Sequence, residues 1–275
     1  MAGTLYIVST PIGNLEDITL RALRILAEAD VIAAEDTRHS LKLLNHYGIS
    51  RPMISYWGER ERVKSDEIIR KLHDGRNVAL ISDAGTPGIS DPGAVVVRKA
   101  IQENIRVVPV PGPSALIAAL SLSGLPTEVF TFVGFLPSGK TMRRKVLKDL
   151  GLQRNTLVFY EAPHRIEATL TDMGEIFPDR RAALVKEITK VHEEELRDRV
   201  PEMISRLKST KIAGEYVIIL EGRLAQKKIT AEDALNEIAL LMKRGLRRKE
   251  AVRKIAAEYG LSSKELYGRS LDKIP

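Results

Sequence analysis

The chain has 275 residues, no cysteine and a formal net charge of +7 at neutral pH. That length suits about two domains with ample core, and the lack of cysteine excludes both a disulfide framework and a thiolate metal site, which fits a reducing cytoplasm. No basic segment leads into an apolar one at the amino terminus, and the most apolar stretch, residues 115–125, is too short to cross a bilayer, so neither a signal peptide nor membrane insertion is expected.

In chain order, short β-branched or apolar runs predict strands over residues 5–9, 31–34, 78–81, 106–109, 156–160 and 182–185, with a closing strand over 215–221. Helices are predicted over 18–29 and 92–102. Strands alternate with helices up to about residue 112, which implies right-handed crossovers and a mostly parallel sheet. The composition then turns to Pro, Gly, Ser and Ala over 111–126, and a second α/β unit follows. After Gly222 the strand pattern stops, and residues 230–271 read as helices only, with Thr230 able to cap a helix over 231–243. The expected division is an α/β domain at 1–112, a second at 113–223 and a basic helical domain at 226–275.

Each of the first six strands runs into a segment that carries chemistry. The successors are Thr10-Pro11-Ile12-Gly13-Asn14, Glu35-Asp36-Thr37-Arg38-His39, the glycine-rich stretch 81–93, Pro111-Gly112-Pro113-Ser114-Ala115, Glu161-Ala162-Pro163-His164-Arg165 and Lys186-Glu187-Ile188-Thr189-Lys190. Ligands of open α/β sheets gather at the carboxyl ends of strands, so six such segments suggest one shared cleft. The 81–93 stretch, with three glycines and two prolines, lets a ligand approach the backbone closely, although the same residues also serve a plain surface turn.

The positive charge is concentrated. Residues 138–154 hold six Lys/Arg against one acid, and residues 226–275 hold twelve against seven, which leaves the remainder slightly acidic. Two basic patches favour a polyanionic partner over a solvated helix face. Within the second patch, Ala251, Ile255 and Ala256 share a helix face, Gly260 permits a tight turn and Ser262 can cap a following helix that carries Leu266. That spacing fits a helix-turn-helix, and equally a small helical bundle with these residues as core.

The six ordered motifs resemble those of the tetrapyrrole methylase superfamily, in the form that methylates small-subunit ribosomal RNA, and the basic tail resembles a version with a terminal helix-turn-helix region. The resemblance runs through residues 5–221. It implies two α/β domains of the tetrapyrrole methylase type with S-adenosylmethionine in the cleft between them, a small C-terminal all-helical domain, and commonly a homodimer. It further implies methylation of the ribose 2′-hydroxyl of a decoding-centre cytidine in 16S ribosomal RNA. By position, the cofactor falls to Pro11, Ile12, Asp83, Gly85, Thr86, Ile89, Ser114, Ala115 and Tyr160.

The reaction is displacement at an activated methyl, so alignment supplies most of the rate and deprotonation of the hydroxyl is the remaining difficulty. Lys186, Glu187, Asp36 and Arg38 are the expected catalytic group, with Glu35 and Glu161 as further carboxylates. Lys186 is a candidate base if Arg38 and burial lower its pKa, or an ion-pair partner of Glu187 or Glu161 if not. RNA contacts are expected at Arg143, Arg144, Lys145, His164, Arg165, Arg247, Arg248 and Lys249. His39 and His192 lack partners at metal-ligand spacing, so no catalytic metal is expected. The competing readings are methylation of a porphyrin or corrin precursor, and a DNA-binding regulator with a metabolite-sensing core.

Overall fold

The computed structural model describes residues 1–58, 61–207, 212–223 and 229–274. They fall into two compact units, Met1–Gly222 and Arg223–Pro275. The two expected α/β domains thus pack as one unit, and residues 226–228 of the expected helical piece lie outside the described residues.

The first sheet comprises β1 (Thr4–Val8), β2 (Val31–Ala34), β3 (Met53–Ser55), β4 (Val78–Ile81) and β5 (Arg106–Val110), in the spatial order β3-β2-β4-β1-β5. Every pairing is parallel. β2 and β4 are apolar and buried at every position because helices cover both faces. Ile32, Ala34, Ala79 and Ile81 pack with Ile25 and Leu26 of α1 (Leu20–Glu28) and Leu44 of α2 (Thr37–His46). The alternate residues Ala33, Val78 and Leu80 pack with Ile68 and Leu72 of α3 (Glu61–His73) and Val96 and Ala100 of α4 (Ala94–Gln102). α1 starts two residues later than predicted because Thr19 caps it, its hydroxyl accepting from Ala22 N at 3.1 Å. α4 likewise begins after Gly93, not at Pro92.

The second sheet is mixed. It comprises β6 (Phe130–Phe135), β7 (Thr156–Glu161), β8 (Arg181–Lys186), β9 (Glu194–Arg199) and β10 (Tyr216–Leu220), in the order β6-β7-β10-β8-β9. β6 and β7 are parallel, whereas β10 runs antiparallel to both β7 and β8, and β9 antiparallel to β8. One face packs on α6 (Lys140–Leu150), α7 (Pro163–Ile176) and α8 (Val200–Leu207), the other on α5 (Ala115–Leu122).

Three strands escaped the sequence pattern for separate reasons. β3 has only three residues. β6 is broken by a register shift between Phe132 and Gly134, where Gly134 takes φ 72°. β9, Glu-Glu-Leu-Arg-Asp-Arg, is a charged edge strand with no apolar alternation.

The second unit holds α9 (Ala231–Lys243), α10 (Arg248–Tyr259) and α11 (Ser263–Lys273) around Ala234, Ile238, Ala251, Ile255 and Leu266. Thr230 caps α9, accepting from Asp233 N at 3.1 Å. Gly260 closes α10 in the left-handed region at φ 65°, and Ser262 accepts from Glu265 N to start α11.

Candidate active site

Because all strands of the first sheet are parallel, the segments after β1, β2, β4 and β5 emerge at one edge. Local bonds hold them there. Thr10 and Gly85 exchange backbone hydrogen bonds at 2.8 and 3.1 Å, and Ser9 Oγ lies 2.7 Å from Thr86 Oγ1. Gly85 sits at φ 79°, which a side chain tolerates poorly, so the glycine is what allows this loop to double back on the first one. Asp36 N donates to Asp83 Oδ1 at 3.0 Å, tying the end of β2 to the same loop.

These segments border a cavity of about 630 Å³. Its lining draws on all six strand-end segments: Ile12, Glu35, the loop from Asp83 to Asp91, Ser114 to Leu116, Tyr160 to His164, and Ile188 with Lys190. Eight of the nine residues expected at the cofactor line it. The ninth, Pro11, borders a neighbouring cleft. At the α5 end, Ser114 caps the helix, and Leu116 N donates to Tyr160 Oη at 3.1 Å. Burial raises the Tyr160 pKa, so the phenol stays neutral. The Phe135 ring stands edge-on to Tyr160 at 5.7 Å and completes an apolar wall with Ile89.

The cavity is rich in carboxylates: Glu35, Asp83, Asp91, Glu161 and Glu215 line it, opposed by Lys190. Burial pushes the Asp91 carboxyl up to about 6, helped by the negative charges of Glu35 and Asp83. Burial also raises Glu35. Glu161, by contrast, is engaged within the protein: it accepts from Thr169 Oγ1 at 2.6 Å and Ala162 N at 2.9 Å, and pairs with Arg165 at 3.1 Å.

Lys190 is set by an unusual loop. Glu187 and Thr189 take positive φ of 51° and 65°, rare for residues with side chains. The Lys190 ammonium bonds Glu187 at 2.8 Å and Glu215 at 3.1 Å. Burial works against its charge, but these two bonds outweigh it and raise its pKa. Its stem lies over Gly13, where a Cβ would come within 2.4 Å of Lys190 Cγ, and Thr189 Oγ1 donates to Asp17 Oδ2 at 2.5 Å. The loop after β8 thus clasps the loop after β1.

The expected catalytic group is not assembled at this cavity. Lys186 borders a separate cavity with Leu184 and Arg206, its ammonium 3.1 Å from Glu194, because successive strand residues face opposite sides and Val185 takes the side toward the large cavity. Asp36 caps α2 and pairs with exposed Arg38 at 3.1 Å, a hydrogen bond that lowers the Asp36 pKa. Glu187 holds Glu215 N and Lys190 instead of facing the cavity.

The expected RNA contacts also divide. Arg143 is 5% exposed and bonds Asp172 at 2.7 Å, while Arg144 bonds Asp172 and Glu175. Lys145 and His164 are exposed, and His164 borders the cavity. Arg165 is held by Glu161 and Leu136 O. In the second unit, Arg247 and Lys249 are exposed, whereas Arg248 ties α10 to α11 through Ser270 O and Ile274 O.

Sequence reasoning passes over Asp91, Lys190 and Glu215 as site residues. Asp91 lies within the glycine-rich loop, where its place before Pro92 marks it as a helix start. Glu215 precedes an antiparallel strand, so a search confined to strand ends misses it.

The chain matches the family described as Tetrapyrrole (Corrin/Porphyrin) Methylases over residues 4–204. It is 43% identical to "Ribosomal RNA small subunit methyltransferase I" of Halalkalibacterium halodurans over 272 residues, covering 96% of this chain and 93% of that protein. The protein of the same name from Thermotoga maritima is 47% identical over 221 residues, which is 99% of its own length but 80% of this chain. Among solved structures, uroporphyrin-III C-methyl transferase from Thermus thermophilus complexed with S-adenyl homocysteine matches with a TM-score of 0.54 at 21% identity, over 80% of this chain and 97% of that one. By its profile, its relatives and its fold, the chain belongs to the tetrapyrrole methylase family and, within it, to the ribosomal RNA small subunit methyltransferase I group.

Proposed function

We propose that the protein transfers a methyl group from S-adenosylmethionine to the ribose 2′-hydroxyl of a decoding-centre cytidine in 16S ribosomal RNA, and that it does so in the cytoplasm as a homodimer. The observation that carries this reading is a single cavity bordered by all six strand-end loops, whose titratable lining is predominantly acidic. A donor bearing a sulfonium and an ammonium suits such a lining, since opposite charge favours both partners.

Ile12, Gly85, Thr86, Ser114 and Ala115 would hold the donor through backbone and small side chains, and Ile89 with Phe135 offers an apolar wall for its adenine. When bound, the donor supplies a methyl group already activated by a cationic sulfur. The chain then has to align the acceptor oxygen and accept its proton. Asp91 Oδ is suited to taking that proton, because a pKa of about 6 leaves it ionised yet more basic than an ordinary carboxylate. Lys190 stays protonated between Glu187 and Glu215 and therefore serves as a fixed positive charge, not as a base. Lys145, His164 and the exposed cations Arg247 and Lys249 supply contacts to the RNA backbone.

The test is methyl transfer from labelled donor to small subunits isolated from a strain that lacks the activity, with the modified nucleotide located by mass spectrometry. A porphyrin precursor serves as the control acceptor. Label on the base instead of the ribose, or on the macrocycle instead of the RNA, rejects the assignment.

A further inference from the structure

Next to the large cavity, and sharing Asp83 with it, lies a smaller cleft of about 220 Å³ between the loop after β1 and α2. Thr10, Pro11, Gly13, Leu15, Ser40 and Leu43 border it, and His39 and Lys42 stand at its rim. Two features set it apart. Ser40 is 2% exposed, yet its hydroxyl has no hydrogen-bond partner among the described residues, whereas a helical serine commonly bonds back to a carbonyl one turn earlier. A buried, unsatisfied hydroxyl lowers stability and is expected to be retained only where something else satisfies it. Second, His39 and Lys42 are exposed and form no ion pair among the described residues, although the adjacent Arg38 is paired with Asp36.

The balance of charge therefore differs between the two openings. The large cavity presents five carboxylates, which repel phosphate, whereas the adjoining cleft carries one of them, Asp83, engaged by Asp36 N at 3.0 Å, and adds Lys42 and His39 at its rim above an unsatisfied donor. An RNA strand whose acceptor ribose enters the acidic cavity must place a neighbouring phosphate somewhere close by, and this cleft adjoins the cavity at Asp83 and carries at its rim basic side chains that are unpaired among the described residues.

We propose that this cleft binds one phosphate of the RNA strand adjoining the methylated nucleotide, with the Ser40 hydroxyl and a His39 ring N–H donating to phosphate oxygens and Lys42 neutralising its charge. The proposal rests on RNA being the substrate, and it adds a contact that the motif resemblance does not assign. It also gives α2 a role in recognition that its ends, capped by Asp36 and closed at Tyr47, do not otherwise suggest.

The test uses the full chain and three variants, Ser40→Ala, Lys42→Gln and His39→Gln, each assayed for methyl transfer to small subunits, for binding of S-adenosylhomocysteine and for thermal stability. Each variant should raise the KM for the RNA substrate, with Lys42→Gln about tenfold and its salt dependence shallower by roughly one counterion. Affinity for S-adenosylhomocysteine should not change. Ser40→Ala should leave the melting temperature unchanged or raised, since it removes an unsatisfied group; a merely structural serine would lower it. An unchanged RNA KM in all three variants, with wild-type methylation intact, overturns the cleft assignment alone. Absence of methyl transfer by the wild type overturns the RNA reading itself, so the two failures are separable.

Discussion

The two sheets of the first unit reach the same cavity by different routes. In the parallel sheet, the end of each of β1, β2, β4 and β5 delivers the segment that follows it to one edge. In the mixed sheet β7 and β8 contribute that way and β6 brings its last residue, Phe135, while the antiparallel β10 reaches the cavity with its beginning, through Glu215, Tyr216 and Val217. The parallel half supplies backbone-rich loops and the Asp91 carboxylate. The mixed half supplies an ion-pair cluster, Lys190 with Glu187 and Glu215, carried on a loop with two left-handed residues. One half is thus built to approach a ligand closely and the other to hold charges in fixed places.

The sharpest way to break that division is at Asp91. Asp91→Asn should lower kcat for RNA methylation by about 10²- to 10⁴-fold, the usual range for a positioned base, with little change in the folded structure. Glu215→Gln, on the mixed side, should cost closer to about tenfold and act mainly through the placement of Lys190. Equal losses in single-turnover assays would abolish the distinction.

A second comparison lies within the first basic patch. Arg143 and Asp172 form a buried pair, so Arg143→Met should destabilise the protein by about 3 kcal/mol in urea unfolding, the low end for a broken buried pair, because the partly exposed Arg144 alone remains to compensate Asp172. Lys145→Gln, two residues away and exposed, should leave stability unchanged and instead flatten the salt dependence of RNA binding. If both variants alter only RNA binding, the buried pair has been misjudged.

The clasp between the halves can be tested at Gly13, where φ is 142° and a Cβ would strike the Lys190 stem. Gly13→Ala should cost about 1–3 kcal/mol, the range for an unfavourable backbone region. Adding Lys190→Ala should recover the steric part and leave the backbone part, which a double-mutant cycle separates.

The smallest effect concerns pH. Asp91 protonates near pH 6 in the folded protein against 3.8 ordinarily, so its contribution to stability is fully present below about pH 4 and is lost as pH rises through 6. In the absence of donor, thermal melts of Asp91→Asn should lack this loss. A cationic donor reverses the preference by favouring the carboxylate, so donor affinity measured by calorimetry should rise between about pH 5 and 7, with proton release near pH 6. A flat profile would remove Asp91 from the donor's surroundings.

Much of this site was readable from local pattern. The Gly and Pro of 81–93 follow an apolar strand, and the helix caps at Thr230 and Ser262 obey short-range rules that depend on few neighbours. β9 was not readable, because an edge strand made of charged residues carries no apolar alternation. Nor was the fate of Arg143, which looks like its neighbours in sequence but is buried against Asp172, twenty-nine positions away.

By itself the sequence determined which segments end strands and carry small or charged residues, since glycine, proline and β-branched residues constrain the backbone locally. Only the tertiary structure decided which of those side chains share a cavity. Side-chain alternation along β8 turned Lys186 away, the antiparallel direction of β10 brought Glu215 in, and burial beside other carboxylates, a property of packing and not of residue type, set the Asp91 carboxyl apart.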